Sequence, residues 1–374
     1  MDSLSPTVLS RAGRAFWKRP AAVLPALFLL GALAAGTCQA QKYTVTKLQV
    51  LPGGTNTSAA RMNKAGEVVG SADDSNGDTV AVAWNNAVPT ILWDVFPPGS
   101  GYAEAVAINN QGVIVGNADE SFGPFVFEIG PNVSAASALI LRGIDVGAIN
   151  DTNVIVGQEE GFPVIWDGVD VSYNPNVSLP TLEGMAYSQP TGINAAGVIV
   201  GVEYDWLPDY SDTYPVAVRW QPDPTTPVKA LQGLGGINSA AAAVNINNWV
   251  VGWATLGNKR QHAVLWERNN RPFDLGSLGG KQSSANGINA EGDIAGQAQT
   301  TWGAWHAVLW THIDFKATDL NGEISESMAK QITLTSAVDT NDRCMVLANG
   351  VDNKTGAQES FVLSLTDQSH CNEQ

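Results

Sequence analysis

One short motif recurs along this chain, and its spacing limits the folds that the chain can adopt. In the motif an apolar stretch ends at a glycine seven residues after an asparagine. The first six copies contain Asn63, Asn109, Asn150, Asn194, Asn245 and Asn289, and a weaker seventh copy runs from Asn341 to Ala348. We number these copies units 1 to 7. Successive asparagines are 46, 41, 44, 51, 44 and 52 residues apart, close to the roughly 40 to 50 residues of a β-propeller blade.

Each unit contains signals for four antiparallel strands. A segment rich in alanine and glycine, such as residues 240–244, precedes the asparagine and suits a strand close to a central axis. The asparagine and a following glycine predict a hairpin turn, because both tolerate positive φ. A buried strand such as residues 113–115 follows, then a variable loop and a third strand that usually ends at tryptophan, as in residues 264–266. A less regular fourth strand precedes the next unit, and four such strands form one propeller blade.

The two ends of the chain complete the count of strands. Unit 7 has no fourth strand, whereas residues 43–51 form a strand-like segment before unit 1. We predict that residues 43–51 pair antiparallel with residues 361–365, which closes the ring and removes exposed sheet edges. The predicted fold class is all-β. It is a single seven-bladed β-propeller of four-stranded antiparallel blades over residues 41–374, in which the N-terminal strand completes the last blade.

The first 40 residues have the three zones of a secretory signal peptide. Four basic residues precede the apolar run of residues 21–36, and the small residues Cys38 and Ala40 follow it. We expect cleavage after Ala40 and export to the periplasm or the extracellular medium. The apolar run has 16 residues, fewer than the roughly 20 that span a bilayer. We therefore expect no transmembrane segment in the mature protein.

The chain that remains after cleavage is strongly acidic. It has 16 Lys and Arg against 35 Asp and Glu, a net charge of −19. Because this charge repels phosphate backbones, we expect no nucleic acid partner. The mature chain also keeps two cysteines, Cys344 and Cys371. In an oxidising compartment we predict a disulfide between them, and two free thiols are the alternative.

The repeated sequence resembles a known family. Residues 287–296 carry Gly-Ile-Asn and a closing Gly, residues 262–266 and 306–310 read His-Ala-Val-Leu-Trp, and residues 274–280 read Asp-Leu-Gly-Ser-Leu-Gly-Gly. These segments are similar to the HAF-type extracellular repeat family of bacterial exported proteins, and the pattern covers residues 43–365. This chain departs from the pattern at Phe127, Ala348 and Ser364. The resemblance implies an exported β-propeller-like repeat protein, and it supplies no catalytic residues.

The sequence contains none of the common catalytic motifs. It has no His-Glu-x-x-His, Cys-x-x-Cys or Gly-x-Ser-x-Gly, so we predict no catalytic residues and no cofactor. His262 and His306 are 44 residues apart, the spacing of Gly252 and Gly296, so the repeat itself explains both histidines. The alternative to the prediction of no cofactor is a bound calcium ion. Residues 74–78, Asp-Ser-Asn-Gly-Asp, alternate oxygen ligands as calcium loops do, although the glycine stands two places too early for an EF-hand.

The connections between second and third strands vary most in length, and all emerge on one face of the predicted disc, here called the loop face. In units 1 to 4 they carry eleven carboxylates and no Lys or Arg: Asp73, Asp74, Asp78, Asp119, Glu120, Glu159, Glu160, Glu203, Asp205, Asp209 and Asp212. Aromatic rings stack on sugars and carboxylates accept hydrogen bonds from hydroxyl groups. The predicted ligand-binding residues are therefore Tyr204, Asp205, Trp206, Asp209, Tyr210 and Asp212 of unit 4, with Trp302 and Trp305 of unit 6. The alternative is a solvated acidic rim whose aromatic rings anchor the loops.

These observations favour an exported, non-enzymatic binding or scaffolding propeller. Its expected ligand, a glycan or a cationic partner, binds on the loop face. The alternative is a propeller enzyme, a hydrolase or lyase, that cleaves extracellular polysaccharide with carboxylates of the same face.

Overall fold

The computed structural model describes residues 42–93, 101–118, 125–128, 139–140, 144–167, 177–205 and 214–367. These ranges consist mainly of β-strands and the turns between them, with a 3-10 turn, Leu320–Gly322, and a short helix α1, Glu326–Ala329. No helix in these ranges is long and apolar enough to cross a lipid bilayer. The predicted signal peptide lies outside the described residues.

The first strand, β1, spans Tyr43–Lys47, and units 1 to 4 follow it as four sheets of four strands. In each sheet the strands lie side by side in chain order and pair antiparallel. Unit 1 forms β2 (Thr57–Met62), β3 (Val68–Asp73), β4 (Thr79–Asn85) and β5 (Val88–Trp93), and unit 2 forms β6 (Ala103–Ile108), β7 (Val113–Ala118), β8 (Phe125–Glu128) and β9 (Leu139–Ile140). Unit 3 forms β10 (Ile144–Ile149), β11 (Val154–Glu159), β12 (Phe162–Asp167) and β13 (Val177–Ser178), and unit 4 forms β14 (Tyr187–Ile193), β15 (Ile199–Tyr204), β16 (Val216–Trp220) and β17 (Lys229–Ala230).

Units 5 and 6 share one sheet of eight strands. Unit 5 forms β18 (Gly235–Val244), β19 (Val250–Leu256), β20 (Gln261–Trp266) and β21 (Pro272–Gly276), and unit 6 forms β22 (Gly279–Ile288), β23 (Ile294–Thr300), β24 (Trp305–Trp310) and β25 (Ala317–Asp319). Within each unit consecutive strands pair antiparallel. A parallel pairing of Gln261 with Gln282 joins the two units.

The last sheet contains both ends of the described chain. Unit 7 forms β26 (Ile332–Thr340), β27 (Met345–Asp352) and β28 (Gln358–Leu365), and β1 lies beside β28. The antiparallel register runs from Tyr43 opposite Leu365 to Lys47 opposite Phe361. The predicted pairing of the N-terminal segment with residues 361–365 is confirmed. The strand ends at Lys47 rather than at residue 51.

The closing glycine of the motif faces an irregularity in the innermost strand. In unit 5 the register shifts between Ala241 and Ala243, beside Gly252. A Cβ atom on Gly252 would lie 2.0 Å from the carbonyl oxygen of Ala240. The corresponding distances are 2.1 to 2.2 Å at Gly70, Gly157, Gly201 and Gly296. In these five units a Cβ would clash beside the bulge, which explains the constant spacing from asparagine to glycine. Unit 7 differs, because Ala348 stands beside the corresponding bulge of β26.

The third-strand tryptophans fill the space between neighbouring sheets. They are among the largest fully buried side chains: Trp84, Trp166, Trp220, Trp266 and Trp310. The indole nitrogen of Trp310 donates a hydrogen bond to the carbonyl oxygen of Leu275 (2.9 Å), which precedes unit 6. Trp84 makes the same bond to Gln49 (2.9 Å), which precedes unit 1. Trp220 and Trp266 make equivalent bonds to Pro180 and Gln232 (2.7 Å each), so these four tryptophans satisfy their polar atoms while they pack against the preceding segment.

The apolar clusters combine residues of adjacent units. One cluster packs Val69 and Leu92 of unit 1 against Ala105 and Ile114 of unit 2. Others join unit 4 to unit 5 and unit 5 to unit 6 in the same way. Sheets that pack face to face in chain order form a β-propeller arrangement.

Candidate functional site

The motif asparagines form a closed chain of hydrogen bonds at the axis of the molecule. Each donates from Nδ2 to the main-chain carbonyl oxygen of the next: Asn63 to Asn109 (3.4 Å), Asn109 to Asn150 (3.0 Å), Asn150 to Asn194 (3.1 Å), Asn194 to Asn245 (2.9 Å), Asn245 to Asn289 (3.0 Å) and Asn289 to Asn341 (3.4 Å). Asn341 donates to the carbonyl oxygen of Asn63 (3.1 Å) and closes the circle. We call this set the asparagine ring.

The asparagine ring surrounds one end of a central channel. A cavity of about 290 Å³ at this end is lined by the ring residues and by their neighbours in the hairpin turns. The same asparagines hold those turns. The Oδ1 atom of Asn150, for example, accepts hydrogen bonds from the main-chain N–H groups of Thr152 (3.0 Å) and Val154 (2.9 Å). The ring end of the channel is therefore built from groups that already have partners.

A second cavity of about 450 Å³, here called the channel cavity, is lined mainly by residues that precede the ring along the inner strands, together with Gln297 of β23. The inner strands run from the loop face to the ring, so this cavity lies toward the loop face. Its lining combines apolar with polar side chains: Ala60, Arg61, Glu104, Val106, Thr191, Ala241, Ala242, Asn286, Gln297, Ser336 and Val338. Strands from six units contribute to it. Apolar walls with a few convergent polar groups are typical of ligand-binding sites.

Asp339 of unit 7 hydrogen-bonds to unit 1 and is influenced by the charge of Arg61. The carboxylate of Asp339 accepts hydrogen bonds from the main-chain N–H groups of Met62 (3.0 Å) and Thr340 (2.9 Å). Burial raises the pKa of Asp339, while the charge of Arg61 and these hydrogen bonds lower it, and the net direction is upward. Asp339 thus has a polar environment despite its burial.

The wall of the channel is held together by side chains that reach the next unit. Thr191 donates to the carbonyl oxygen of Ala241 (2.9 Å) and Asn286 to that of Ala337 (2.9 Å). The side-chain amide of Asn349 accepts a hydrogen bond from the main-chain N–H of Ala59 and donates one to its carbonyl oxygen (3.0 Å each). Asn117 does the same to Val146 (2.9 and 3.2 Å). These bonds fix the inner strands relative to each other, so the channel cavity is preformed.

The predicted site residues of unit 4 are described in part. Tyr204 is half-buried at the end of β15, and its ring packs edge-on against Tyr187, with 5.9 Å between the ring centroids. Burial raises the pKa of the Tyr204 phenol. Asp205 accepts a hydrogen bond from the main-chain N–H of Tyr214 (2.8 Å). Both therefore hold the base of the loop, whereas Trp206, Asp209, Tyr210 and Asp212 lie outside the described residues.

The predicted site residues of unit 6 lie at the turn between β23 and β24. Trp302 is 94% exposed at the tip of this turn, whereas Trp305 is half-buried at the start of β24. In the described part of the chain, the hydrogen bonds and ring contacts of Tyr204 and Asp205 stay within unit 4. The structure does not bring them into contact with the two tryptophans.

Several of the described loop carboxylates accept hydrogen bonds within the protein. Asp73 accepts from Thr55 and Asn56, and these bonds lower its pKa against the opposing effect of burial. Glu203 is buried and accepts from the main-chain N–H of Leu182 (2.9 Å) and the hydroxyl of Ser188 (3.1 Å). Its burial raises its pKa.

The predicted calcium loop is held by the same kind of bond. Asp74 Oδ1 accepts from the main-chain N–H groups of Asn76 (2.8 Å) and Asp78 (3.0 Å), and Asp78 accepts from that of Gly101 (2.6 Å). These bonds account for both carboxylates as turn-forming groups. Calcium binding there stays a prediction.

Two further sequence predictions concern cysteine and histidine. Cys344 is in a disulfide, and because Cys371 lies outside the described residues, their pairing stays a prediction. His262 Nδ1 lies 2.8 Å from Asp274 Oδ1, and His306 Nδ1 lies 2.6 Å from Asp319 Oδ2. Each histidine thus contacts an aspartate at the outer strand of its own unit, as the repeat predicts for equivalent positions.

The repeat pattern does not identify the polar residues of the channel cavity. Arg61, Glu104 and Gln297 lie in or beside the inner segments, which the sequence marked only as rich in alanine and glycine. A charged residue within a segment rich in alanine and glycine is the sequence signal that indicates such a cavity. Arg61 and Glu104 both provide it.

No family model and no curated protein matches this sequence. Several solved structures are similar in fold. YCF48 bound to D1 peptide is 9% identical, with 88% of this chain and 96% of that chain covered and a TM-score of 0.51. The β-propeller domain of the Trilobed protease from Pyrococcus furiosus is 11% identical, with 84% and 99% covered and a TM-score of 0.50. A puromycin-hydrolyzing peptidase from Mycobacterium tuberculosis is 12% identical, with 84% of this chain but 52% of that chain covered and a TM-score of 0.50. The likeness concerns the β-propeller fold alone.

Proposed function

We propose that this protein is an exported, non-enzymatic binding protein of the HAF-type repeat family, and that it holds a glycan at the loop-face end of its channel. The proposed architecture is a seven-bladed propeller. Seven motif asparagines bonded head to tail, with Asn341 returning to Asn63, support that number. The antiparallel pairing of β1 with β28 supports closure between the first and last blades.

The observation that carries the proposal is the channel cavity itself. Its volume of about 450 Å³ falls within the range of about 300 to 1,000 Å³ that is typical of small-ligand sites. Hydrogen bonds between neighbouring inner strands keep its wall in place without a ligand. A preformed wall lowers the entropic cost of binding.

The chemistry of the lining favours a glycan over a cationic partner. Arg61 donates, Glu104 accepts and Gln297 does both, which suits sugar hydroxyl groups, while alanine and valine pack against the C–H faces of the ring. Gln297 lies in β23, and the exposed Trp302 follows the end of that strand, so an aromatic platform lies beyond the cavity on the same face. Asp73, Asp74 and Glu203, in contrast, accept hydrogen bonds from other groups of the protein. The unit 4 loop between Asp205 and Tyr214 remains a proposed second contact.

A glycan array followed by isothermal titration calorimetry tests this proposal. We expect the untagged protein to bind at least one extracellular polysaccharide fragment. Glu104→Gln and Trp302→Ala should each weaken binding by about tenfold, which corresponds to about 1.4 kcal/mol. The melting temperature of Trp302→Ala should not change, because its side chain is 94% exposed.

The matched control is Gln111→Ala, an exposed position in the hairpin turn of unit 2 at the ring end of the channel. It should leave glycan binding intact. Equal losses in the control and the loop-face variants, or no glycan binding at all, would contradict the proposal. Release of new reducing ends during incubation would instead favour the hydrolase or lyase alternative.

A further inference from the structure

Three potential metal ligands meet on the ring side of unit 6. Glu291 and Asp293 flank Gly292 in the turn between β22 and β23, and His312 lies in the turn after β24. Their ligand atoms all lie within 4.8 Å of one another. The Oδ1 atom of Asp293 is 2.9 Å from both the main-chain nitrogen and the Nδ1 atom of His312. Two turns that are distant in sequence thus present an imidazole and two carboxylates to one point.

The repeat does not explain these residues. Two residues after the motif asparagine, the other units have Ala65, Gln111, Thr152, Ala196, Asn247 and Arg343. Four residues after it they have Glu67, Val113, Val154, Val198, Trp249 and Met345. No other unit therefore has carboxylates at both positions, and none has a histidine two residues after its third-strand end. The hairpin folds without these side chains in six units, so its geometry does not require them.

The surroundings hold the cluster in place, and the described ion pair of the cluster is the internal one between His312 and Asp293. Gly292 has φ +104°, and a Cβ there would lie 2.6 Å from Cζ3 of Trp249, so the turn packs closely against that indole. Among the described residues, no lysine or arginine forms an ion pair with Glu291 or Asp293. Two neighbouring carboxylates repel each other unless a cation lies between them.

We propose that Glu291, Asp293 and His312 form a binding site for a divalent transition-metal ion of the zinc class. Imidazole nitrogen and carboxylate oxygen are ligands that zinc accepts, with a solvent-filled position left open. Zinc–ligand bonds of about 2 Å in a tetrahedron place ligand atoms about 3.3 Å apart. To reach this geometry the ligand atoms that lie up to 4.8 Å apart must approach each other, and the Asp293–His312 pair at 2.9 Å must separate slightly. The exposed Glu291 and His312 side chains leave room for such small rotations. The ion takes the place of the direct contact between His312 Nδ1 and Asp293 Oδ1 and ties the inner hairpin to the outer turn of the unit.

Isothermal titration calorimetry with zinc chloride tests the site on untagged protein that has been treated with a chelator. We expect one zinc ion per chain. His312→Gln keeps a hydrogen-bond donor toward Asp293 but removes the imidazole ligand, and it should lower the affinity at least tenfold. Glu291→Gln should also weaken binding, and because Glu291 is exposed this variant should fold like the wild type.

His262→Gln and His306→Gln are the matched controls. Each of these histidines contacts one aspartate, and neither is in a described cluster of three potential ligands. Both variants should bind zinc as the wild type does. The proposal is overturned if the wild type binds no zinc, or if binding is unchanged in both His312→Gln and Glu291→Gln.

Discussion

Each motif asparagine performs two tasks with one side chain. Its Oδ1 atom accepts hydrogen bonds from its own hairpin turn, and its Nδ2 atom donates to the next unit. The sequence predicted the first task, because asparagine next to glycine indicates a turn. It did not predict the second, because a bond between residues more than 40 positions apart leaves no local signal. The same amide thus links turn formation to ring closure.

Replacement of Asn150 by alanine tests this double role. Asn150 is 5% exposed, so its loss leaves the carbonyl oxygen of Asn194 and two N–H groups without their partner. We expect the free energy of unfolding to fall by about 1 to 3 kcal/mol in urea titrations. The control is Asn110→Ala, at an exposed position, which should cost clearly less. Equal losses of unfolding free energy in the two variants would mean that an asparagine of the ring stabilises the fold no more than an exposed asparagine of a turn does.

Glu203 makes a prediction about pH. Burial raises its pKa above the ordinary value of 4.5, so the folded protein keeps this proton at pH values where the unfolded chain has lost it. Stability should therefore fall as the pH rises from 4.5 through the raised pKa. Glu203→Gln removes this contribution and can retain the bonds to Leu182 and Ser188. Urea unfolding between pH 4 and pH 8 should show the wild type losing stability relative to the variant, and a relative gain would refute the argument.

The strands show where sequence patterns carry information and where they do not. Inner, second and third strands were predicted well, because burial on both faces requires apolar residues and glycine. The fourth strands are the least regular, and β9, β13 and β17 have two residues each. An outer strand has a neighbour on one side only, so fewer of its residues are constrained. The helix α1 before β26 was not predicted, since its four residues are too few for a periodic pattern.

The closing strand β1 can be tested with proline. Leu48 donates its main-chain N–H to Ser360 across the strand pair, whereas Tyr43 donates to Glu323 on the other side. Because N–H groups alternate along a strand, that of Thr46 faces β28 and that of Val45 faces away. Thr46→Pro should therefore lower the free energy of unfolding by about 1 to 3 kcal/mol. Val45→Pro should cost less, since proline is tolerated where the N–H points away from the sheet. The reverse order in denaturant titrations would argue against the pairing.

At the scale of the whole molecule, the sequence predicted the arrangement of units better than the candidate site. The repeat follows from patterns within single units, and the closing strand follows from the count of strands at the two ends of the chain. The channel cavity does not, because Arg61, Glu104 and Gln297 approach each other only when distant units surround one axis. Composition points instead to the acidic loops, several of whose described carboxylates accept hydrogen bonds within the protein. Composition alone does not distinguish carboxylates that hold a loop from carboxylates that face a ligand.

The central claim is that seven units form one closed ring around a channel. An experimental structure of the untagged protein, at a resolution that separates side chains, tests it most directly. The account predicts seven four-stranded blades, β1 paired with β28, and the amide of Asn341 within hydrogen-bond distance of the carbonyl oxygen of Asn63. Six or eight blades, or a gap between Asn341 and Asn63 with β1 detached from β28, would contradict it.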